Sequence, residues 1–176
     1  MAFVRHFRKV KVRPPERPGV EPAPLMVDRA KQLYPSQNRT FLLGNAYQLP
    51  LPDSSFDAAF SVLVWHLLKD LEISANELSR VLARNGSFLL ITANPGAYAA
   101  WKALYTDLKV TGKRLEGAMQ LGTTVSHDVL FLHTLDEIKS SLQAAGLAVE
   151  EIETFRPLKQ FEELKMFVSI KGKKAE

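Results

Sequence analysis

The sequence predicts an α/β fold with a doubly wound, mostly parallel sheet that ends in a C-terminal antiparallel hairpin. Residues 56–63 and 87–93 are apolar on both faces, which is typical of parallel strands covered by helices. Between them, residues 71–82 repeat apolar side chains at helical spacing, and alternating strands and helices predict such a sheet. The final strands, residues 148–155 and 165–171, are joined by a connection too short for a parallel crossover, so we expect them to pair antiparallel.

The elements before the first buried strand are short. Residues 2–12 contain many β-forming side chains without clean alternation, so they favour a strand only weakly. Residues 19–22 read as the tail of a strand, followed by a helix whose entry suits Pro22 and Pro24, because proline presets φ where no N–H is needed. That helix is predicted to end at Pro35, and residues 40–43 are predicted to form a brief strand.

The elements after the second buried strand are less regular. Residues 97–108 are predicted to be helical, and residues 112–126 have no firm period, so we expect a mobile or lid-like connection there. Thr134 and Glu137 have the spacing of a capping box, in which each side chain bonds the other residue's backbone amide. The helix that they open is expected to end at Gly146.

Composition indicates a single globular domain. The chain has 176 residues, of which 46% are apolar and 24% are charged, enough for one domain with a substantial core. Cysteine is absent, so neither a disulfide framework nor a cysteine-based metal site is available, and no metal site is predicted. No apolar run reaches membrane-spanning length. We therefore expect a cytoplasmic protein that does not bind membranes.

The positive charge is concentrated in one short segment. The net charge is +4, and residues 1–18 contain six basic residues against one glutamate, which leaves the remainder slightly negative. We predict a basic, proline-containing leader over residues 1–18, a folded domain over residues 19–171 and a charged tail over residues 172–176. A nucleic-acid partner is not expected, because it requires a basic face on the folded domain. The leader alone could still act as a nucleic-acid or organelle-targeting arm.

Residues 44–96 carry the most specific pattern in the chain. Its parts are Gly44-Asn45-Ala46, the run LPLPDSSFD at residues 49–57, VWHL at residues 64–67 and the helix and turn ELSRVLARNG at residues 77–86. With weaker matches at residues 19–26, 131–137 and 145–147, this order resembles the class I S-adenosylmethionine-dependent methyltransferases of the small-molecule type. The resemblance covers residues 19–171. It implies a Rossmann-like methyltransferase fold, S-adenosylmethionine as the cofactor, and methyl transfer to a small-molecule acceptor.

The resemblance also implies which residues bind the cofactor. Glu21 stands where the family places a carboxylate that accepts both ribose hydroxyls, an arrangement strengthened by its charge. Asn45 stands where the family commonly has the aspartate that binds the adenine amino group; it retains a carbonyl oxygen without charge, or it is only a turn residue. The remaining candidates are Pro22, Ala46, Tyr47, Ser61 and Val62, of which the last two lie at the end of the central strand and serve either the methionine portion or the core.

The catalytic residues are not identified by any nucleophile–base pair or metal-ligand spacing. We therefore infer a mechanism of in-line positioning, with a base needed only when the acceptor must lose a proton. Candidate bases are His66, His127 and His133, each of which has a structural role as its alternative. Tyr98, Trp101 and Tyr105 could wall an apolar substrate pocket, or they could be core residues at helical spacing.

One element of the family is missing from the sequence. The family's first strand ends in a Gly-x-Gly turn, whereas no Gly-x-Gly occurs in this chain and only eighteen residues precede Gly19. The expectation is an N-terminally truncated methyltransferase domain. Residues 3–12 are predicted to fill the gap as a substitute strand, or a partner subunit in a homodimer covers it, because exposed strand edges invite pairing. The alternative function is a non-catalytic remnant or binding module.

Overall fold

The structure is a computed structural model that describes residues 2–5, 17–35, 39–121, 124–155 and 165–175. A seven-stranded sheet forms its centre. From one edge to the other, the strands are β3 (Arg39–Leu43), β2 (Arg17–Glu21), β1 (Ala2–Arg5), β4 (Phe56–Val62), β5 (Leu82–Ala93), β10 (Phe167–Lys174) and β9 (Leu147–Phe155). This is the α/β architecture that the alternating pattern predicts.

Helices cover both faces of this sheet, as the doubly wound prediction requires. On one face, α1 (Pro24–Leu33) packs its buried Val27 and Ala30 against β3. On the other face, α2 (Leu71–Val81) and α4 (Leu135–Ala144) pack against each other and enclose the main core. None of the helices in these described ranges is long and apolar enough to cross a membrane.

The strand directions correct the prediction of a mostly parallel sheet. Only β2–β3 and β4–β5 pair in parallel, and the other four neighbouring pairs are antiparallel. The sheet is therefore mixed, because β1 and β10 run against the other five strands. The C-terminal hairpin of β9 and β10 was expected, and its antiparallel pairing is confirmed.

The direction of β1 is one reason why the sheet is mixed and not mostly parallel. β1 lies between β2 and β4, with Ala2 opposite both Val20 and Ser61 and Arg5 opposite Ala58. The substitute strand predicted within residues 3–12 is thus present through Arg5, while the rest of that range lies outside the described residues. Because β1 is antiparallel, its carboxyl end points away from the edge at which β2 and β4 end.

A second sheet replaces the predicted helix and lid. A short 3₁₀ turn at Pro95–Ala97 leads into α3 (Tyr98–Lys102). This helix ends at Lys102, whereas the predicted helix continued to residue 108. Three antiparallel strands follow in the order β6–β7–β8: β6 (Tyr105–Thr111), β7 (Arg114–Leu121) and β8 (Thr124–Phe131). The prediction of a lid-like connection without strands over residues 112–126 was wrong.

The ends of the helices follow local signals in the sequence. The capping box predicted at Thr134 and Glu137 is confirmed, because each side chain accepts the other residue's amide. Asp70 caps α2 by accepting the amide of Ile73 at 3.1 Å. α2 ends at Val81 and β5 starts at Leu82, so Asn85 lies inside the strand segment, with a φ of 58°.

Candidate functional site

The carboxyl ends of β2 and β4 lie at the same edge of the sheet, one on either side of β1, and open α/β sheets bind ligands at the carboxyl ends of their strands. Val20, Ala2, Ser61 and Leu90 form one row across four adjacent strands. Glu21 follows Val20 directly, so its backbone stands at the same edge as the residues after Ser61. Glu21 therefore lies at the sheet edge at which a ribose contact would require it.

Glu21 is half-buried, and its carboxylate is only partly engaged. Its Oε1 accepts the amide of Ala23 at 3.1 Å, at the start of α1, and its backbone carbonyl accepts the amide of Gly44 at 3.2 Å. No ion pair among the described residues includes Glu21. No other described residue donates a hydrogen bond to this carboxylate.

Asn45 shapes the loop that faces Glu21. Its Oδ1 accepts the amides of Tyr47 at 2.9 Å and Gln48 at 3.1 Å, so the oxygen is used by its own turn. Asn45 therefore has a turn role in the structure. Because both acceptor positions of the oxygen are occupied, Asn45 has only its NH₂ group to offer a ligand. That group suits an acceptor such as a ring nitrogen and not the amino group of adenine.

Beneath this loop is a small cavity of about 50 Å³. Ser61 and Ala46 line it, together with apolar side chains from β2, β5 and α2. The Ser61 hydroxyl is buried and has no hydrogen-bond partner among the described residues. Val62, the next residue, is half-buried. Val62 thus contributes to packing, while Ser61 has a buried hydroxyl without a described partner at the ligand edge.

The chain leaves β4 through a strained residue, Leu63. Its φ is 58°, in the left-handed region that branched side chains avoid, and its side chain is 42% exposed. The amide of Leu63 donates to the carbonyl of Ile91 at 2.7 Å, which extends the β4–β5 pairing to this residue. Backbone strain of this kind is concentrated at functional sites.

The other two loop candidates have different environments. Pro22 is exposed immediately after Glu21. The Tyr47 hydroxyl accepts the amide of Lys69 at 2.7 Å, and its side chain is at the border of exposure. Tyr47 therefore joins the loop after β3 to the segment before α2.

Sequence reasoning missed the side chains that hold this loop in place. Arg80 on α2 donates to the carbonyls of Leu49 at 2.9 Å and Leu51 at 2.8 Å, and to Asp53 at 2.5 Å. Glu77 accepts a two-pronged bond from Arg80 at 2.7 and 2.8 Å and also accepts the amide of Leu49 at 2.7 Å. These bonds hold the pKa of Glu77 below its usual range, Arg80 being the largest cause. The spacing ExxR was visible, but only as a helix pattern.

His66 is the one histidine candidate placed at the ligand edge. It lies in a 3₁₀ turn, Trp65–Leu67, where its Nδ1 is 3.0 Å from the Thr92 hydroxyl and 3.4 Å from the amide of Ala93. Thr92 Oγ1 also accepts the backbone amide of His66 at 3.0 Å, so its hydroxyl proton points to Nδ1. The proton of the neutral ring therefore sits on Nε2.

Burial lowers the pKa of His66 to about 4, and the nearby Asp128 opposes this effect only in part. His66 is thus neutral at physiological pH and can donate one hydrogen bond through Nε2. A base that must take up a proton near pH 7 needs a pKa close to that value. His66 is therefore better suited to orienting a ligand than to accepting a proton.

The two other histidine candidates do not reach this edge. His133 is buried, and its Nε2 donates to the carbonyl of Leu68 at 2.7 Å while its ring stacks on Phe131. His127 is exposed on β8, on the face of the second sheet that carries Glu116. The structure assigns His133 a packing role and separates His127 from the other candidates.

Of the three aromatic candidates, Trp101 contacts His66, and all three take part in packing or hydrogen bonds within the protein. Trp101 is buried, donates to the carbonyl of Met166 at 3.0 Å and stacks on the His66 ring with centroids 6.3 Å apart. The Tyr98 hydroxyl donates to the carbonyl of Phe131 at 3.2 Å. Tyr105 is buried in the core of the second sheet. A substrate pocket walled by all three stays a prediction.

The matching family model and the relatives named here are all methyltransferases. Residues 13–90 match the methyltransferase domain family. Over 94 residues the chain is 32% identical to malonyl-[acyl-carrier protein] O-methyltransferase of Halorhodospira halophila, covering 53% of this chain and 30% of that protein. Over 55 residues it is 40% identical to fatty-acid O-methyltransferase of Mycolicibacterium smegmatis, covering 31% of this chain and 20% of that protein. The chain thus spans less than a third of these relatives' length.

The fold is also that of solved methyltransferases. The structure superposes on an S-adenosylmethionine-dependent methyltransferase from Mesorhizobium loti with a TM-score of 0.65 at 22% identity, covering 89% of this chain and 79% of that one. The family resemblance read from the motifs is thereby confirmed, and S-adenosylmethionine is the cofactor that the comparisons support.

The described residues fit the nucleoside half of that cofactor better than its methionine half. The Glu21 carboxylate has one oxygen to which no described residue donates, which would suit a ribose hydroxyl, and the NH₂ group of Asn45 would suit an acceptor on a base. By contrast, β1 contains no glycine and ends at the opposite edge of the sheet, so its carboxyl end provides no close backbone approach to a ligand.

Proposed function

We propose that the chain binds S-adenosylmethionine at the carboxyl edge of its main sheet and presents the methyl group to a small-molecule acceptor, because residues 13–90 match the methyltransferase domain family and the sequence motifs resemble those of the class I S-adenosylmethionine-dependent methyltransferases. One observation carries the proposal. Glu21, half-buried and without a cationic partner among the described residues, stands beside the Asn45 turn and the end of β4. A vicinal diol supplies two donors that this carboxylate can accept.

In this proposal the protein acts by positioning. Glu21 fixes the ribose, and the NH₂ group of Asn45 fixes the base through a ring nitrogen. Arg80 and Glu77 keep the loop between them rigid, and the side chain of Leu63 projects beside the end of β4. The cofactor supplies an already activated methyl group, so the protein's task is to hold the acceptor in line and exclude water.

A second candidate function is a non-catalytic binding module with the same fold. The antiparallel direction of β1 favours it, because the central strand places no carboxyl end at the ligand edge. A module of this kind would hold the adenosine portion of the cofactor and gain little from the amino-acid portion.

Calorimetric titration with S-adenosylhomocysteine and with adenosine separates the two candidates. The proposed function predicts micromolar binding of S-adenosylhomocysteine that is at least tenfold tighter than binding of adenosine. Equal affinity for both ligands would favour the binding module, and no binding of either would refute both.

The variant Glu21→Gln tests the residue that carries the proposal. Loss of the charged acceptor is expected to weaken S-adenosylhomocysteine binding about tenfold or more, because a charge-assisted hydrogen bond contributes about 1.5–3 kcal/mol. Glu72→Gln is the matched control, since Glu72 is exposed in the first turn of α2. Unchanged binding by Glu21→Gln would show that Glu21 does not hold the ribose.

A further inference from the structure

The second sheet brings a carboxylate to the ligand edge. β8 packs directly against the 3₁₀ turn that carries His66. Asp128 on β8 lies within electrostatic reach of the His66 ring, and its Oδ1 accepts the hydroxyl of Ser126 at 2.7 Å. Ser126 and Asp128 are two residues apart on the strand and therefore face the same side.

A glycine on the neighbouring strand makes room beside Asp128. Gly117 on β7 pairs with Asp128, and a Cβ added at Gly117 would stand 3.4 Å from the Tyr105 ring and 2.9 Å from the carbonyl of Thr106. The Tyr105 ring thus packs over the bare backbone of Gly117. This placement turns its hydroxyl toward Asp128, and burial together with that carboxylate raises the pKa of Tyr105 to about 12.

No basic side chain among the described residues pairs with the charge of Asp128. His66 is held neutral by its burial and by the bonds to Nδ1, and Tyr105 is also neutral at physiological pH. A half-buried carboxylate among neutral groups favours a ligand that brings a positive charge.

We propose that Asp128, with Ser126, Tyr105, His66 and Trp101 around it, binds the protonated amine of the methyl acceptor. We call this group of five residues the Asp128 cluster. The Trp101 and Tyr105 rings provide the aromatic surface that commonly accompanies an ammonium group, and Asp128 supplies the counter-charge. The inference rests on the proposed function, because it names the acceptor class for the same site. It sets this chain apart from a relative whose named acceptor is a fatty acid, since a carboxylate would be repelled here.

Three small probes that share one ring and differ in charge test this proposal. Benzylamine, benzyl alcohol and benzoate are titrated into the full chain saturated with S-adenosylhomocysteine, and binding is followed by calorimetry and by the ¹H–¹⁵N signals of residues 126–128. The expected order of affinity is benzylamine, then benzyl alcohol, then benzoate, with at least tenfold between the first and the last.

Asp128→Asn is expected to reduce benzylamine affinity at least tenfold while leaving benzyl alcohol affinity within about twofold. Asp136→Asn removes the same charge from a side chain that is 90% exposed, and it is expected to change neither. The tightest binding by benzoate, no saturable binding of any probe, or an equal loss in the two variants would overturn the proposal.

A second variant, Gly117→Ala, places a Cβ 2.9 Å from the carbonyl of Thr106, so β6 and the Tyr105 that it carries must shift without any change in charge. It should weaken the binding of all three probes to a similar extent. A loss of affinity for benzylamine alone would contradict the assigned geometry. S-adenosylhomocysteine is titrated separately into each variant. If it fails to bind the unaltered chain, the proposed function fails, whereas charge-selective binding of benzylamine to the chain alone would still support the Asp128 cluster.

Discussion

Leu63 shows how a single residue ties backbone conformation to the ligand edge. Its left-handed φ of 58° costs about 1–2 kcal/mol for a residue with a Cβ, and its exposed side chain recovers little of that by burial. The conformation is held by the bond from its amide to the carbonyl of Ile91. The direction in which the chain leaves β4 therefore depends on a strained residue.

The strain at Leu63 predicts an inverted order of two variants. Leu63→Gly should be more stable than Leu63→Ala by about 1 kcal/mol, because only the alanine keeps a Cβ in the left-handed region. Urea unfolding of both variants measures the difference. Ile73, which is exposed in α2, gives the control, where alanine should be more stable than glycine by about 1 kcal/mol. The same order at both positions would argue against strain at Leu63.

His66 predicts a dependence of stability on pH. Its pKa is lowered to about 4 from an ordinary value of 6.5, so between these values the unfolded chain binds a proton that the folded chain does not. The contribution of His66 to the free energy of unfolding is fully present above pH 6.5. It is lost as the pH falls toward 4, which lowers the free energy of unfolding by up to about 3 kcal/mol.

Unfolding free energies of the unaltered chain and of His66→Asn, measured from pH 7 to pH 4, check this dependence. Asparagine keeps an acceptor for the Thr92 hydroxyl but does not titrate in this range. The variant should lack this part of the pH dependence. A parallel decline in both proteins would assign the effect to other groups.

At the residue scale, the sequence predicted which positions lie at the ligand edge but not how their atoms are used. Glu21 and Ser61 could be placed because they end apolar strands. Asn45 could not be assigned a role, since only the structure shows that the turn occupies its oxygen. His66 and His133 look alike in sequence, and the partners that distinguish them, Thr92 and Leu68, are distant in the chain or lie on another element.

At the scale of elements, α2 acts as a clamp on the loop between β3 and β4. Arg80→Lys keeps the charge but loses the planar fork that reaches both carbonyls and Glu77. We expect a loss of about 2–3 kcal/mol in unfolding free energy, from several charge-assisted bonds in a partly exposed site. Faster hydrogen exchange at the amide of Leu49 should accompany it.

The control for this clamp is Arg84→Lys, because Arg84 is exposed in the first part of β5. It should change the unfolding free energy by no more than about 0.5 kcal/mol. Similar losses at Arg80 and Arg84 would contradict the clamp.

The second sheet was beyond sequence reasoning for a physical reason. Its first strand is interrupted by a bulge between Thr106 and Lys109, where Asp107 has a φ of 52°. Such a bulge shifts the alternation of side chains by one residue, which removes the period-two signal. β7 does alternate at Leu115, Gly117 and Met119, and this was the available clue. The hairpin of β9 and β10 was predictable because its short connection permits only one direction.

For the whole molecule, β1 decides whether the main sheet is continuous. Phe3 pairs with Gly19 on one side and Phe60 on the other, so Phe3→Pro should remove ladder bonds in the middle of the sheet and cost about 3 kcal/mol or more. Thermal unfolding followed by circular dichroism measures this. Phe3→Ala reports the contribution of the side chain alone, and equal effects of both variants would show that the backbone of β1 contributes little.

The reversed direction of β1 also determines where the two ends of the chain emerge. Ala2 lies in the row that ends at the ligand edge, whereas Lys174 donates to the carbonyls of Ser79 and Leu82, where β5 begins. Any polypeptide joined ahead of Ala2 would therefore emerge beside the proposed cofactor site, while one joined after Ala175 would leave from the opposite edge of the sheet. An affinity tag or fluorescent fusion belongs at the carboxyl terminus when ligands are to be titrated.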